Sequence, residues 1–209
     1  MLLAPNVLTS WATDIWRDKL SELSAIATVV QAFFAILGGV FVYFEYCSSK
    51  ESQRLQLAHK MVDQIAEDPR LMFCTIVLDW GVGAIPVPPE WQAYVGAPHI
   101  IFDKAKVEEA LSPKLTEPTS MDPTRLMYRH AFVRLFDHLE RIQQMIDAKV
   151  IFIRHLSNLV WMAHKLTNPD YISRNTFIDA MKVWYPSGAP KRLVDSLIKI
   201  PCGPPKTLS

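Results

Sequence analysis

From residue 23 to residue 44 the chain reads LSAIATVVQAFFAILGGVFVYF, 22 consecutive positions without a charge. Coiled as a helix, that run extends about 33 Å, close to the hydrocarbon thickness of a bilayer, and it predicts a membrane-spanning helix. A buried helix of a soluble domain rarely stays uncharged over so many turns. Trp11 and Trp16 precede the run, and Tyr43 and Tyr46 close it, so amphipathic rings fall near both interfaces. Asp14, Arg17, Asp18, Lys19 and Glu22 come before it and the apolar stretch is too long for a cleaved signal, so a retained anchor is expected.

Beyond the span the polar and apolar positions change to the period of amphipathic helices, predicting a mainly α protein. Its expected divisions are an amino-terminal interfacial segment (1–22), the transmembrane helix (23–46), a helical stalk (47–68), a cytoplasmic helical bundle (69–200) and a disordered tail (201–209). Leu57, Ala58, Met61, Val62 and Ile65 make the apolar side of the stalk. RLMFCTIVLD, at 70–79, is almost wholly apolar and predicts a short buried helix. GVGAIPVPPEWQAYVGAPH follows as an irregular, proline- and glycine-rich loop with short extended pieces, held to the core by Trp91 and Tyr94. A short helix is expected at 103–111, then a loop through TEPTSMDP.

The longest soluble helix starts where Asp122 caps and Pro123 takes the first turn, and it runs to about residue 147. Tyr128, Phe132, Leu135, Leu139, Ile142 and Ile146 lie along one side, with His130, Arg134, Asp137 and Arg141 opposite. Phe152, Leu156, Leu159, Val160 and Ala163 predict the next helix, and two more are expected at 175–184 and 191–200. Neither an internal repeat nor a pair of strands is expected.

Composition narrows the class further. With 209 residues, 50% of them hydrophobic, there is material for one domain and a membrane segment. A net charge of +1 lacks the basic excess that binds phosphate backbones, so no nucleic-acid partner is expected. Cys47, Cys74 and Cys202 are odd in number and widely spaced, which fits a reducing compartment better than a disulfide framework. Cys47 at the boundary is either a lipid-attachment site or an interfacial bystander. Arg17 and Lys19 flank the amino side of the span against Lys50, Arg54 and Lys60 on the other, which places the amino terminus outside and the domain in the cytoplasm.

The span has two unlike faces. Ser21, Ala25, Thr28, Ala32, Ala35 and Gly39 recur at alternating steps of four and three, a seam of small side chains that lets a second helix approach closely. Gln31 lies at the edge of that seam near mid-membrane, where an amide gains from a cross-helix hydrogen bond. Ile26, Val30, Phe33, Phe34, Leu37, Val40 and Phe41 form the bulky face that meets lipid. A homo-oligomer or a larger membrane complex is therefore expected.

No nucleophile elbow, phosphate-cradling loop, HExxH pair or dinucleotide glycine pattern occurs. The sharpest catalytic candidate is the cluster His130, Arg134, Asp137, His138, Glu140 and Arg141. Its three- and four-residue spacing predicts exposed Arg134–Asp137 and Asp137–Arg141 ion pairs instead. His59, His99, His130, His138, His155 and His164 show no spacing of metal ligands, so no catalytic, metal or cofactor residue is expected and the protein is read as a non-enzyme. Trp161 breaks the polar side it shares with Arg154, Asn158 and Lys165. A tryptophan there is covered by a later segment, commonly the terminal helices, or presented to a protein partner, with Arg154 and Lys165 completing the contact.

The order of one span, a stalk, the DPRLMFCTIVLDWG segment with its proline loop, and the YRHAFVRLFDHLERI helix resembles a loose group of uncharacterised bacterial membrane proteins. The resemblance covers most of the chain, carries no chemical motif and assigns no functional residue. It implies a bacterial inner-membrane setting and, for some members, a link to defence against phage. The function expected is a membrane-anchored, non-enzymatic interaction protein with a cytoplasmic protein partner. The alternatives are a membrane-disrupting defence effector, an accessory subunit of a large membrane complex, and a membrane-tethered enzyme.

Overall fold

The computed structural model describes residues 6–80, 83–113, 122–168 and 174–201, with side chains from residue 26 onward apart from 80, 174 and 175. The side chains of Trp11, Trp16, Ser21 and Ala25, most of the TEPTSMDP loop, and the tail with Cys202 lie outside the described residues. The described chain is mainly helical and divides into two compact units, Met1–Ser52 and Gln53–Ser209.

The first unit is the amino-terminal part of helix α1 (Asn6–Glu67). Among the described residues, α1 is the one helix long and apolar enough to cross a membrane. From residue 26 through residue 50 every side chain is exposed.

The second unit opens with the last turns of α1, where Ala58, Met61 and Ile65 are buried. The apolar side expected of a stalk is thus part of a folded core, because α2 (Pro69–Trp80) turns back immediately after it. Asp68 makes that turn: its carboxylate accepts from the Arg70 amide at 2.9 Å, and Pro69 follows as a residue suited to a first helical turn. Leu71, Phe73, Cys74, Val77 and Leu78 of α2 are all buried.

The proline-rich stretch carries more order than an irregular loop. Ala84–Pro86 (β1) and His99–Ile101 (β2) pair antiparallel in the register Ala84↔Ile101, Ile85↔Ile100 and Pro86↔His99. They enclose the short helix α3 (Pro89–Val95), which ends at Gly96 with φ 75°, a left-handed conformation that glycine adopts without steric penalty. Strands of three residues are too short to show an alternating pattern, which is why the sequence did not foretell them.

The core is organised on α5 (Pro123–Asp147), where Tyr128, Phe132, Leu135, Phe136 and Leu139 are fully buried. Helices α2, α4 (Lys104–Leu111) and α8 (Ala189–Leu197) pack against it. Asp122 occupies the N-cap position but makes no capping bond with its side chain; its carboxylate is diverted to Lys106 Nζ at 3.3 Å. Asp103 does cap α4, accepting from the amides of Ala105 and Lys106.

The carboxyl end of α5 closes with the amide of Val150 donating to the Met145 carbonyl and that of Lys149 to the Ile146 carbonyl. This pattern requires a left-handed residue at Lys149, whose φ is 58°. Glycine usually fills such a place, and an L-residue there costs about 1 kcal/mol.

The segment after it does not start as the expected α-helix. Ile153–Leu159 is a 3-10 helix, followed by α6 (Val160–Thr167). Its backbone kinks at Leu156 (φ −108°, ψ 22°), and Ile153, Leu156 and Leu159 all pack on the core. Helix α7 (Arg174–Trp184) then buries Phe177, Ala180 and Met181. Helix α8 starts after Gly188 in the left-handed conformation and ends at Leu197, short of the expected limit.

Candidate functional site

On α1 the residues expected to form the seam, Thr28, Gln31, Ala32, Ala35 and Gly39, are all exposed, and so are Phe33, Phe34, Leu37 and Phe41 of the opposite face. A methyl group added at Gly38 or Gly39 would meet nothing within 4 Å. The apolar girdle is therefore not used by this chain's own core.

In the second unit, Trp161 is 41% exposed and lines a groove of about 380 Å³. Its walls come from Val62 and Ile65 of α1, Met72 and Thr75 of α2, and Leu159 and Met162. The terminal helices expected to cover Trp161 do not contribute; earlier segments flank it, because α2 folds back beside α6. Arg154 and Lys165 do not line the groove. The Arg154 guanidinium lies over the Phe152 ring at 4.7 Å, and Lys165 Nζ is 3.8 Å from an Asp79 carboxylate oxygen. The three residues expected as one contact are thus spread over separate surroundings. Met72, half exposed at the groove edge, was missed because it lies in a run that reads as buried throughout.

The polar face of α5 is resolved into separate structural contacts. The expected Arg134–Asp137 and Asp137–Arg141 pairs are replaced by longer-range ones. Arg134 donates from Nε to Asp68 at 2.9 Å, and Asp137 accepts from the Tyr185 hydroxyl at 2.5 Å. Glu140 accepts from Ser187, and the His130 ring lies tilted against Trp91 with ring centres 5.4 Å apart. His138 is buried and donates from Nε2 to the Met61 carbonyl at 2.8 Å, tying α5 to the last turns of α1. Partners so far along the chain are invisible to spacing on a single helix.

These contacts shift the groups concerned. Burial pushes the Tyr185 hydroxyl well above its ordinary range, reinforced by the Asp137 carboxylate that accepts its hydrogen bond. His138 is lowered, chiefly by burial, against the Met61 hydrogen bond that favours its proton. Burial alone would raise Asp68, but Arg134 and the amide of Arg70 outweigh it and the net shift is downward. Cys74 is held protonated by burial. Among the described residues no group of three or more His, Cys, Asp or Glu side chains is placed to hold a metal ion.

The molecule so described is a mainly helical protein with one helix of membrane-crossing length and composition near its amino terminus. No protein-family model, no curated protein and no solved structure matches the chain.

Proposed function

We propose that the protein is a membrane-anchored, non-enzymatic interaction protein, held by the apolar part of α1 and presenting its second unit in the cytoplasm. The observation that carries this reading is the run of exposed apolar side chains from Ile26 to Tyr46, continuous in sequence with a unit that has its own core. Charge bias sets the orientation, with Lys50, Arg54 and Lys60 on the inner side. The groove beside Trp161 receives a protein partner, since a partly exposed tryptophan among methionines is an adaptable apolar contact.

A cysteine introduced near residue 5 is expected to react with a membrane-impermeant thiol reagent in intact cells, and one near residue 120 only after permeabilisation. The opposite pattern reverses the orientation, and labelling of both removes the anchor.

Within the membrane the face bearing Thr28, Ala32, Ala35 and Gly39 joins a second copy or another subunit of the assembly. Small side chains there bring backbones close enough for dispersion contacts and for a hydrogen bond from Gln31. Ala32→Leu with Gly39→Leu keeps the span hydrophobic while adding bulk, so insertion survives and intermembrane-helix crosslinking is lost. Phe33→Leu with Phe41→Leu leaves crosslinking unchanged. Equal behaviour of the two double variants would exclude the seam.

A further inference from the structure

The hydrogen bonds at the margins of β1 and β2 fix which backbone groups of the pair face inward. The Phe102 amide donates to the Gly83 carbonyl at 3.0 Å and the Val87 amide to the Pro98 carbonyl at 2.9 Å. Antiparallel pairs alternate between those that exchange hydrogen bonds and those that do not. In the register Ala84↔Ile101, Ile85↔Ile100 and Pro86↔His99, Ile85 and Ile100 therefore exchange theirs. The backbone polar groups of Ala84, Pro86, His99 and Ile101 point away from the neighbouring strand. Burial follows the same alternation: Ile85 is fully buried and Ile100 packs on the core, whereas Ala84, Pro86, His99 and Ile101 are exposed.

The two edges are not alike. On the β1 side Pro86 has no N–H to offer, and proline is one of the residues by which an edge strand is closed to further pairing. On the β2 side His99 and Ile101 each present an N–H and a C=O, and none of the four meets a backbone partner among the described residues. Ile101 is 80% exposed, more than any other large apolar side chain among the described residues, those of the apolar run of α1 included. A charged residue in that place would turn other strands away, whereas isoleucine favours strand pairing. Pro98 before β2, and Asp103 capping α4 after it, confine the edge to these residues. Asp103 and Lys104, the nearest charges in sequence, offset one another.

We propose that the outer edge of β2 takes up an extended segment of a partner protein as a third, antiparallel strand. The partner residues opposite His99 and Ile101 close four backbone hydrogen bonds, and the residue between them lies beside Ile100 on the core-facing side. Side chains alternate across a strand, so an aliphatic residue fits beside Ile100 and a β-branched or other apolar one fits opposite Ile101 on the outer face. Backbone geometry carries the assignment. Polar groups presented by every second residue, roughly 7 Å apart along an edge, are matched by an extended chain and not by a helix, whose backbone groups are bonded internally. The edge shares no residue with the groove beside Trp161, and it is a contact of the second unit whether or not α1 is an anchor.

The test uses the full chain in mild detergent and a short fluorescein-labelled peptide of alternating threonine and valine with a lysine at each end. Fluorescence anisotropy is expected to show binding below about 1 mM peptide. N-methylation of alternate amides leaves one edge of the peptide open and should preserve binding, whereas N-methylation of consecutive amides closes both edges and should abolish it. Ile101→Pro removes an outward N–H without removing a bond of the fold, and should weaken binding by about tenfold. Ala84→Pro makes the same change on the other edge and should leave binding unaltered. Hydrogen exchange of the unsubstituted protein decides the matter if Ile101→Pro unfolds. Saturating peptide should slow exchange of the His99 and Ile101 amides several-fold and leave that of Ile100, already bonded to Ile85, unchanged. Absence of binding at about 1 mM, equal loss with both patterns of N-methylation, or exchange at Ile101 indifferent to the peptide would overturn the proposal. Protection of Ile101 that grows with protein concentration in the absence of peptide would give the edge to a second copy of this chain and overturn the assignment to a partner.

Discussion

Phe132→Ala is expected to destabilise the folded unit by about 3–5 kcal/mol, while Trp161→Ala should cost only about 1–2 kcal/mol. Phe132 is fully buried, with ring centres 6.2 Å from Phe136 and 5.3 Å from Phe177, so its truncation leaves a cavity where α5 meets α7. Trp161 is only partly covered and surrenders less area. The two variants differ in the opposite sense in partner recovery. Trp161→Ala should reduce recovery of the bound protein from mild detergent by tenfold or more, the size expected of an interface anchor of roughly 2 kcal/mol. Chemical denaturation followed by one unfolding probe, alongside quantified co-purification, checks both. A drop of 3 kcal/mol or more for Trp161→Ala, or unchanged recovery, would make Trp161 a packing residue.

Acidification below about pH 6.5 should destabilise the second unit, and His138→Gln should remove most of that dependence. His138 is buried, and its protonation introduces a charge into that site, so the folded protein binds the proton more weakly than the unfolded chain does. The unfolded chain takes it up at the ordinary value of 6.5, so the contribution is complete above that pH and is lost as the pH falls below it. His130 acts in the same direction, its value lowered by burial and by Arg70 and Arg129. Asp68 is lowered from 3.8, so its pairing with Arg134 persists through this window and fails only in stronger acid. Glutamine at position 138 can still donate to the Met61 carbonyl, and its cost near neutral pH should be about 1 kcal/mol. Thermal unfolding of both proteins across the range from about pH 7 to about pH 5 reads the difference in slope. Parallel curves would assign the dependence to His130 or another group.

Much of the architecture was legible because it is written in local periodicity. The uncharged run needs no partner to declare itself, and the 3.6-residue spacing of Tyr128, Phe132, Leu135 and Leu139 identifies the buried side of α5 before any fold is known. Elements that depend on distant residues were harder to read. Asp122 looks like a cap until Lys106 is brought beside it, and Ile153–Leu159 looks α-helical until its apolar residues must face the core at three-residue intervals. The small β1–β2 pair is held partly by bonds at its margins, the Val87 amide to the Pro98 carbonyl and the Phe102 amide to the Gly83 carbonyl. No short-range pattern encodes those.

The candidate sites divide along the same line. The small and bulky faces of α1 follow from the order of side chains around one helix, and the sequence alone determined them. The groove beside Trp161 and the Met61–His138 and Asp68–Arg134 ties arise only when α1, α2, α5 and the segment after α5 come together. A helix's own faces are set by neighbours three and four residues away, whereas grooves and long-range pairs are set by how whole elements pack, and that only the tertiary structure decided.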